Sequence, residues 1–128
     1  MNDTIKILVI DDNEDILFML KAMLQLKEYK VFTKETADNI ESYIQELMPD
    51  VILMDMLLSG IDGCEVCRKI KSIRAIAAIP VIMMSALPEA KALCVEAGAN
   101  YFVGKPFEMA DLFNAVFIAL SQKELSEA

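Results

Sequence analysis

The sequence contains no histidine. That absence removes Ser-His-Asp and Cys-His nucleophilic catalysis, histidine-ligated zinc, and any phosphohistidine carried by the chain itself. Long apolar runs are missing too. The longest uncharged stretch, Ala75 to Pro88, is shorter than a membrane span and is interrupted by Pro80, so membrane insertion is not expected. Nothing resembles a signal peptide, because the apolar stretch at Ile7–Ile10 runs straight into acids, and a cytoplasmic location is the expectation. Basic residues are outnumbered: 12 Lys and Arg stand against 20 Asp and Glu, a formal net charge of −8. Direct nucleic-acid binding needs clustered cations facing phosphates and is not expected. The basic cluster of Arg68, Lys69 and Lys71 reads as a solvated helix face.

Cysteine is sparse, at Cys64, Cys67 and Cys94. The "CEVC" stretch near a helix start could be a redox pair, because a helix N-terminus lowers a thiol pKa. As half of a zinc site it is short of ligands, with one further Cys and no His. The plainer reading is two small residues about one turn apart on one helical face.

What the chain does have is alternation. With 128 residues, 55% of them hydrophobic and 25% charged, it reads as one globular domain over 1–128, with the tail "SQKELSEA" at 121–128 expected to fray. Short apolar runs suited to strands occur at Ile5–Ile10, Tyr29–Thr33, Val51–Met54, Val81–Met84 and Tyr101–Val103. Between them, apolar residues recur at helical spacing: Ile16, Leu20, Met23 and Leu24; Ile40, Tyr43, Ile44 and Leu47; Val66, Ile70 and Ile73; and last Leu112, Val116, Ala119 and Leu120. Asp12 or Asn13 is placed to cap the first helix, Thr36 or Asp38 to open the second, and Pro88-Glu89 to begin one that stops at Gly98. Ser59–Gly63 is a turn-rich loop. Five strand-then-helix units imply right-handed crossovers and a parallel sheet with helices on both faces. The expected class is α/β, a flavodoxin-like (βα)5 fold with strand order 2-1-3-4-5.

In such a sheet, ligands bind beyond the carboxyl ends of the strands where the strand order reverses. The first strand ends in Asp11-Asp12, the third in Asp55, the fourth in Ser85 and the fifth in Gly104-Lys105-Pro106. Asp11, Asn13 and Asp15 copy the start of an EF-hand loop, but Ile16 and Ala22 stand where its Gly and Glu are required, so that reading fails. Each polar residue has a plain explanation alone: a helix cap, a turn hydroxyl, a surface lysine, a loop acid. Together they set an electrostatic problem. Two carboxylates ~4 Å apart repel by about 4 kcal/mol at an effective dielectric near 20. A hard divalent cation such as Mg2+ relieves this, being held by one or two carboxylates with waters and a phosphate. Metal, lysine and hydroxyl together suit a phosphoryl group.

The chain resembles, along essentially its whole length, the receiver domain of bacterial two-component response regulators, of the CheY-like single-domain type. The resemblance is carried by Asp11-Asp12 after strand one, Asp55 in "ILMDM", Ser59–Gly63 in "SGIDG", Ser85-Ala86 after "VIMM", and Lys105-Pro106 in "VGKPF". It implies that Asp55 accepts a phosphoryl group from the phosphohistidine of a sensor histidine kinase or histidine phosphotransfer protein. Lacking histidine, this chain is the receiving side. Asp11, Asp12, Asp55 and the backbone carbonyl of Leu57 would hold Mg2+. Lys105 would pair with Asp55 and then with its phosphate, Ser85 would donate to a phosphate oxygen, and the Lys105–Pro106 bond is expected to be cis. Phe102 matches the switch aromatic, whose ring follows the Ser85 hydroxyl inward. By this resemblance the protein is no enzyme but a switch that takes part in its own phosphorylation and dephosphorylation, and changes its surface for an unknown downstream protein target.

Three departures accompany the resemblance. The family usually has Pro where Ser59 stands, and often Tyr where Phe102 stands. Leu57 and Leu87 occupy the positions, two after the acceptor and two after the Ser/Thr, where members that lose phosphate quickly tend to be polar. A long-lived phosphorylated state is therefore expected. Leu17, Phe18 and Met19 give the first helix more apolar surface than packing on a sheet needs, which reads either as a kinase or phosphotransfer contact or as a broader core. Among alternatives, the same domain could belong to a larger regulator with a DNA-binding or enzymatic output. An aspartyl-phosphate phosphatase commonly has a second Asp at the place of Leu57. A phosphate-free interaction module would have lost some of the site residues. A P-loop fails because Gly98 to Gly104 is one residue too long and Pro106 replaces the Ser or Thr.

Overall fold

Residues 4–127 are described in the computed structural model, with side chains as far as residue 122. The elements follow as β1 Lys6–Ile10, α1 Glu14–Gln25, β2 Lys30–Lys34, α2 Ile40–Leu47, β3 Val51–Asp55, β4 Leu57–Leu58, β5 Ile61–Asp62, α3 Gly63–Ser72, β6 Val81–Ser85, α4 Ala90–Glu96, β7 Tyr101–Gly104 and α5 Met109–Glu127. The main sheet has five strands in the order β2-β1-β3-β6-β7, all paired in parallel. Counted along its own strands this is the 2-1-3-4-5 order, and the expected flavodoxin-like α/β class is the one observed.

Apolar strands without alternation are what a two-faced parallel sheet requires. Along β1 and β3, successive residues point to opposite layers. Leu8, Ile10, Ile52 and Met54 pack with Ile40 and Ile44 of α2, Val66 and Ile70 of α3, and Cys94 of α4. Ile7, Val9, Val51 and Leu53 pack with Leu17, Leu20 and Leu24 of α1 and with Leu112, Val116 and Ala119 of α5. Burying one such aliphatic side chain contributes about 1.5–3 kcal/mol. Both faces of the central strands are thereby fixed, and with them the point where each strand ends.

Several local expectations shift. The loop Ser59–Gly63 belongs to a small antiparallel hairpin, in which Leu58 pairs with Ile61 across Ser59 and Gly60. Both turn residues have positive φ, 49° and 84°, as a two-residue type I′ hairpin turn demands. Strands of two residues are too short to show a period, which hides them in the sequence. The second helix starts later than Thr36 or Asp38, at Ile40, after a left-handed Asn39 that makes no side-chain cap. The first helix is capped by Asn13, whose side chain accepts from the Ile16 amide. α5 runs to Glu127, and residue 128 and the side chains from 123 onward, in the tail expected to fray, lie outside the described residues.

Lys71 does not belong to a solvated face. Its ammonium donates to the carbonyls of Ala77 and Ile79 and to Asn100 Oδ1, at 3.1, 2.8 and 2.8 Å. Burial lowers its pKa, and the three acceptors fasten the chain between α3 and β6. Arg68 does lie at the surface, paired with Glu65.

A candidate phosphoacceptor and metal site

Strand order reverses beside β1, and the residues leaving β1 and β3 there are Asp11, Asp12 and Asp55. One carboxylate oxygen from each lies within 4.8 Å of the others. Asp11 is buried, and its Oδ1 accepts from the Asn13 amide at 3.0 Å. Burial raises its pKa above the ordinary carboxylate value, against the lowering effects of the Asn13 amide and the Lys105 charge, while Asp55 nearby raises it further. Asp12 is exposed, and its Oδ2 accepts from both the amide and the hydroxyl of Ser59, at 2.9 and 3.1 Å.

Lys105 reaches this cluster from the far side of β6. Its Nζ is 3.0 Å from Asp55 Oδ1 and 3.5 Å from Asp11 Oδ2. Burial alone would lower its pKa; the hydrogen bond and charge of Asp55, then those of Asp11, outweigh it and raise the pKa above that of an ordinary lysine. The Lys105–Pro106 peptide is cis. The Lys105 amide donates to the Ser85 carbonyl at 2.8 Å, tying the ends of β6 and β7 together. Ser85 is buried, and its hydroxyl oxygen accepts from the Leu87 amide at 3.1 Å, which leaves the hydroxyl proton available to another acceptor.

The structure thus gathers Asp11, Asp12, Asp55 and Lys105 into one cluster, with Ser85 at the end of the adjoining strand. Leu57 and Leu87 are exposed, at 63% and 50%. Phe102 is partly buried against the α2–α3–α4 layer. Gly63 is packed so tightly behind β3 that a Cβ there would sit 2.6 Å from the Asp55 carbonyl oxygen. Of the apolar residues on α1, Leu17 is core, whereas Phe18 is 77% exposed and Met19 partly so. Met19 lines an apolar pocket of about 440 Å³ with Ile16, Ala86, Lys105, Pro106 and Phe107, which joins α1 to the lysine of the acid cluster. The contact of Ser59 with Asp12 joins residues 47 apart and has no local sequence pattern.

The cysteines pack in the core, as the plainer reading expects. Cys64 and Cys67 are buried on α3, and Cys64 Sγ lies 3.9 Å from Cys94 Sγ on α4. Burial raises the Cys64 pKa and pushes Cys67 up to about 11 and Cys94 up to about 12, the opposite of thiol activation.

Three carboxylate oxygens within 4.8 Å of one another are the donor set of a hard divalent ion, so the residues present fit Mg2+. No described helix is long and apolar enough to cross a membrane.

Comparison with known proteins agrees with this geometry. The response regulator receiver domain family matches residues 7–117. The phosphate regulon transcriptional regulatory protein PhoB of Rhizobium meliloti is 31% identical over 113 residues, which are 87% of this chain and 50% of that protein. The chain therefore spans about half the length of that relative. Among solved structures, chemotaxis protein CheY4 of Vibrio cholerae superimposes with a TM-score of 0.84 at 25% identity, covering 92% of this chain and 100% of that one. The receiver domain of sensor histidine kinase PA1611 from Pseudomonas aeruginosa, solved with magnesium in its active-site cleft, gives 0.84 at 26% identity, covering 93% and 99%. With its parallel sheet, its acids at the strand ends and its lysine opposite them, the chain belongs to the response regulator receiver domain family, the phosphoacceptor signalling module of two-component systems.

Proposed function

We propose that Asp55 is the phosphoacceptor and that the whole chain, 1–128, works as one receiver domain. The observation that carries this is the contact of Lys105 Nζ with Asp55 Oδ1 at 3.0 Å, inside a cluster whose three carboxylates converge. The Asp55 carboxylate attacks the phosphorus of a phosphohistidine, the P–N bond breaks, and the histidine nitrogen of the donor keeps its electron pair. Asp11, Asp12, Asp55 and the Leu57 carbonyl would hold Mg2+, which when bound neutralises charge on the transferring group. Lys105 supplies a fixed cation on the same side, and the Ser85 hydroxyl is free to donate to a phosphate oxygen. These groups make the domain a participant in its own phosphorylation and dephosphorylation.

The donor is a sensor histidine kinase or a histidine phosphotransfer protein, a pairing in keeping with a cytoplasmic location. Exposed Phe18 and the apolar pocket beside Lys105 suit the donor's approach, since both adjoin the helix that follows Asp11-Asp12. Once phosphorylated, Asp55 carries added negative charge and oxygens that draw Ser85 inward. Phe102 then follows, altering the surface offered to a downstream protein. The test is transfer of labelled phosphate from a phosphorylated histidine donor. The label should appear on this chain, need Mg2+, and be absent from Asp55→Asn.

The half-length match to PhoB favours a second reading, the same domain within a longer regulator that has a DNA-binding or enzymatic output. The length of the protein expressed in its own cell distinguishes the two. A turnover phosphatase is disfavoured because an exposed leucine, Leu57, occupies the place of its second acid.

A further inference from the structure

Asp12 is held by a residue of the hairpin turn, at a position where proline would be expected from the resemblance. Ser59 donates its backbone N–H and its hydroxyl to the same oxygen, Asp12 Oδ2, at 2.9 and 3.1 Å. Proline has neither donor, and its ring fixes φ near −65°, whereas Ser59 has φ 49°. The contact therefore depends on a residue that can enter the left-handed region and present two donors at once. A carboxylate oxygen has two lone pairs, so Oδ2 is fully engaged by Ser59. Among the described residues Oδ1 accepts no hydrogen bond, which leaves it open to a ligand role.

The hairpin is anchored at its other end as well. The Gly63 amide donates to the Met56 carbonyl at 2.6 Å, and Asp62 Oδ1 accepts from the Cys64 amide at 2.9 Å, fixing the start of α3. Leu57, whose carbonyl is a proposed ligand, lies between these anchors and Ser59. The hairpin is thus pinned on one side to α3 and on the other to the acid that follows β1.

We propose that Ser59 is a positioning residue for the metal site, locking Asp12 and the Leu57 carbonyl into one rigid ligand frame. This rests on the reading of the acid cluster as a Mg2+ site. A frame ordered before the ion arrives does not have to be ordered by it, and affinity rises accordingly.

The experiment is a Mg2+ titration, followed by backbone amide shifts, of the wild type, Ser59→Ala, Ser59→Gly, Asp12→Asn and the double variant Asp12→Asn/Ser59→Ala. Ser59→Ala and Ser59→Gly should each weaken Mg2+ binding about threefold, the scale of one exposed hydrogen bond to a charged group. Glycine is at ease at positive φ, so its variant keeps the turn even if the alanine variant distorts it. In the Asp12→Asn background, Ser59→Ala should add no further loss. Unchanged or tighter binding in both Ser59 variants would overturn the inference, and so would an equal loss in the Asp12→Asn background. Failure of the wild type to bind Mg2+ would instead overturn the metal site itself.

Discussion

Lys105 Nζ lies 3.0 Å from Asp55 Oδ1 and 3.5 Å from Asp11 Oδ2, so one ammonium stands against two of the three acids that converge at the strand ends. Among the described residues it is the cation that pairs with these acids. On the proposed function, this placement would make it both a partner of the acceptor and a competitor of the metal.

Replacing Lys105 by Met should separate these roles. With the ammonium gone, Mg2+ meets less repulsion, and its affinity should rise about three- to tenfold, an order-of-magnitude result for one charge in a partly solvated cluster. Phosphorylation by acetyl phosphate should fall, because no fixed cation is left to receive the phosphoryl oxygens. Calorimetric titration and intact mass report the two effects, and weaker Mg2+ binding in the variant would contradict the competition.

The exposed leucines bear on lifetime. Neither Leu57 nor Leu87 can orient a water toward an aspartyl phosphate, so the phosphorylated state should be long-lived. Placing Asn at 57 and Glu at 87 together should speed loss of phosphate about tenfold or more, as a group that positions and polarises water would. A decay rate equal to the wild type in the double variant disposes of this explanation.

Phe18 supplies the test of the docking face. A side chain 77% exposed contributes little to folding, so Phe18→Glu should leave the melting temperature nearly unchanged. Transfer from the phosphohistidine donor should slow, while labelling by acetyl phosphate should not. A large loss of stability would return Phe18 to the core, and unimpaired transfer would place docking elsewhere.

The buried thiols predict a pH dependence of stability. In the unfolded chain they ionise near 9, whereas in the folded protein Cys67 holds its proton to about 11 and Cys94 to about 12. Between these limits the folded state binds more protons than the unfolded one, so stability falls as pH rises from about 9 to about 12. Below 9 this contribution is flat. In the native protein all three thiols should resist a thiol reagent at pH 8 and react together on unfolding. Rapid labelling of Cys64 or Cys67 in the folded state would contradict their burial.

The strand ends were legible because buried parallel strands are unbroken apolar runs, and a carboxylate directly after one is conspicuous. Asp11, Asp55 and Lys105 come together through register alone: β1 pairs with β3, β3 with β6 and β6 with β7, so residues that end strands meet. The hairpin at Leu57–Asp62 escaped because its strands are two residues long. Lys71 looked like a surface cation because its acceptors, at Ala77, Ile79 and Asn100, come from loops whose path no local pattern encodes. Leu17 and Phe18 are neighbours of equal hydrophobicity, yet one is core and the other exposed; only the rotation of α1 over the sheet decides which.

Asp55 is proposed to take up a phosphoryl group with the help of a divalent ion. Intact-protein mass after incubation with Mg2+ and acetyl phosphate, beside an Asp55→Asn control, tests it most directly. A single phosphoryl addition is expected, vanishing without Mg2+ and in the control. No addition to the wild type, or an equal addition to Asp55→Asn, would contradict it.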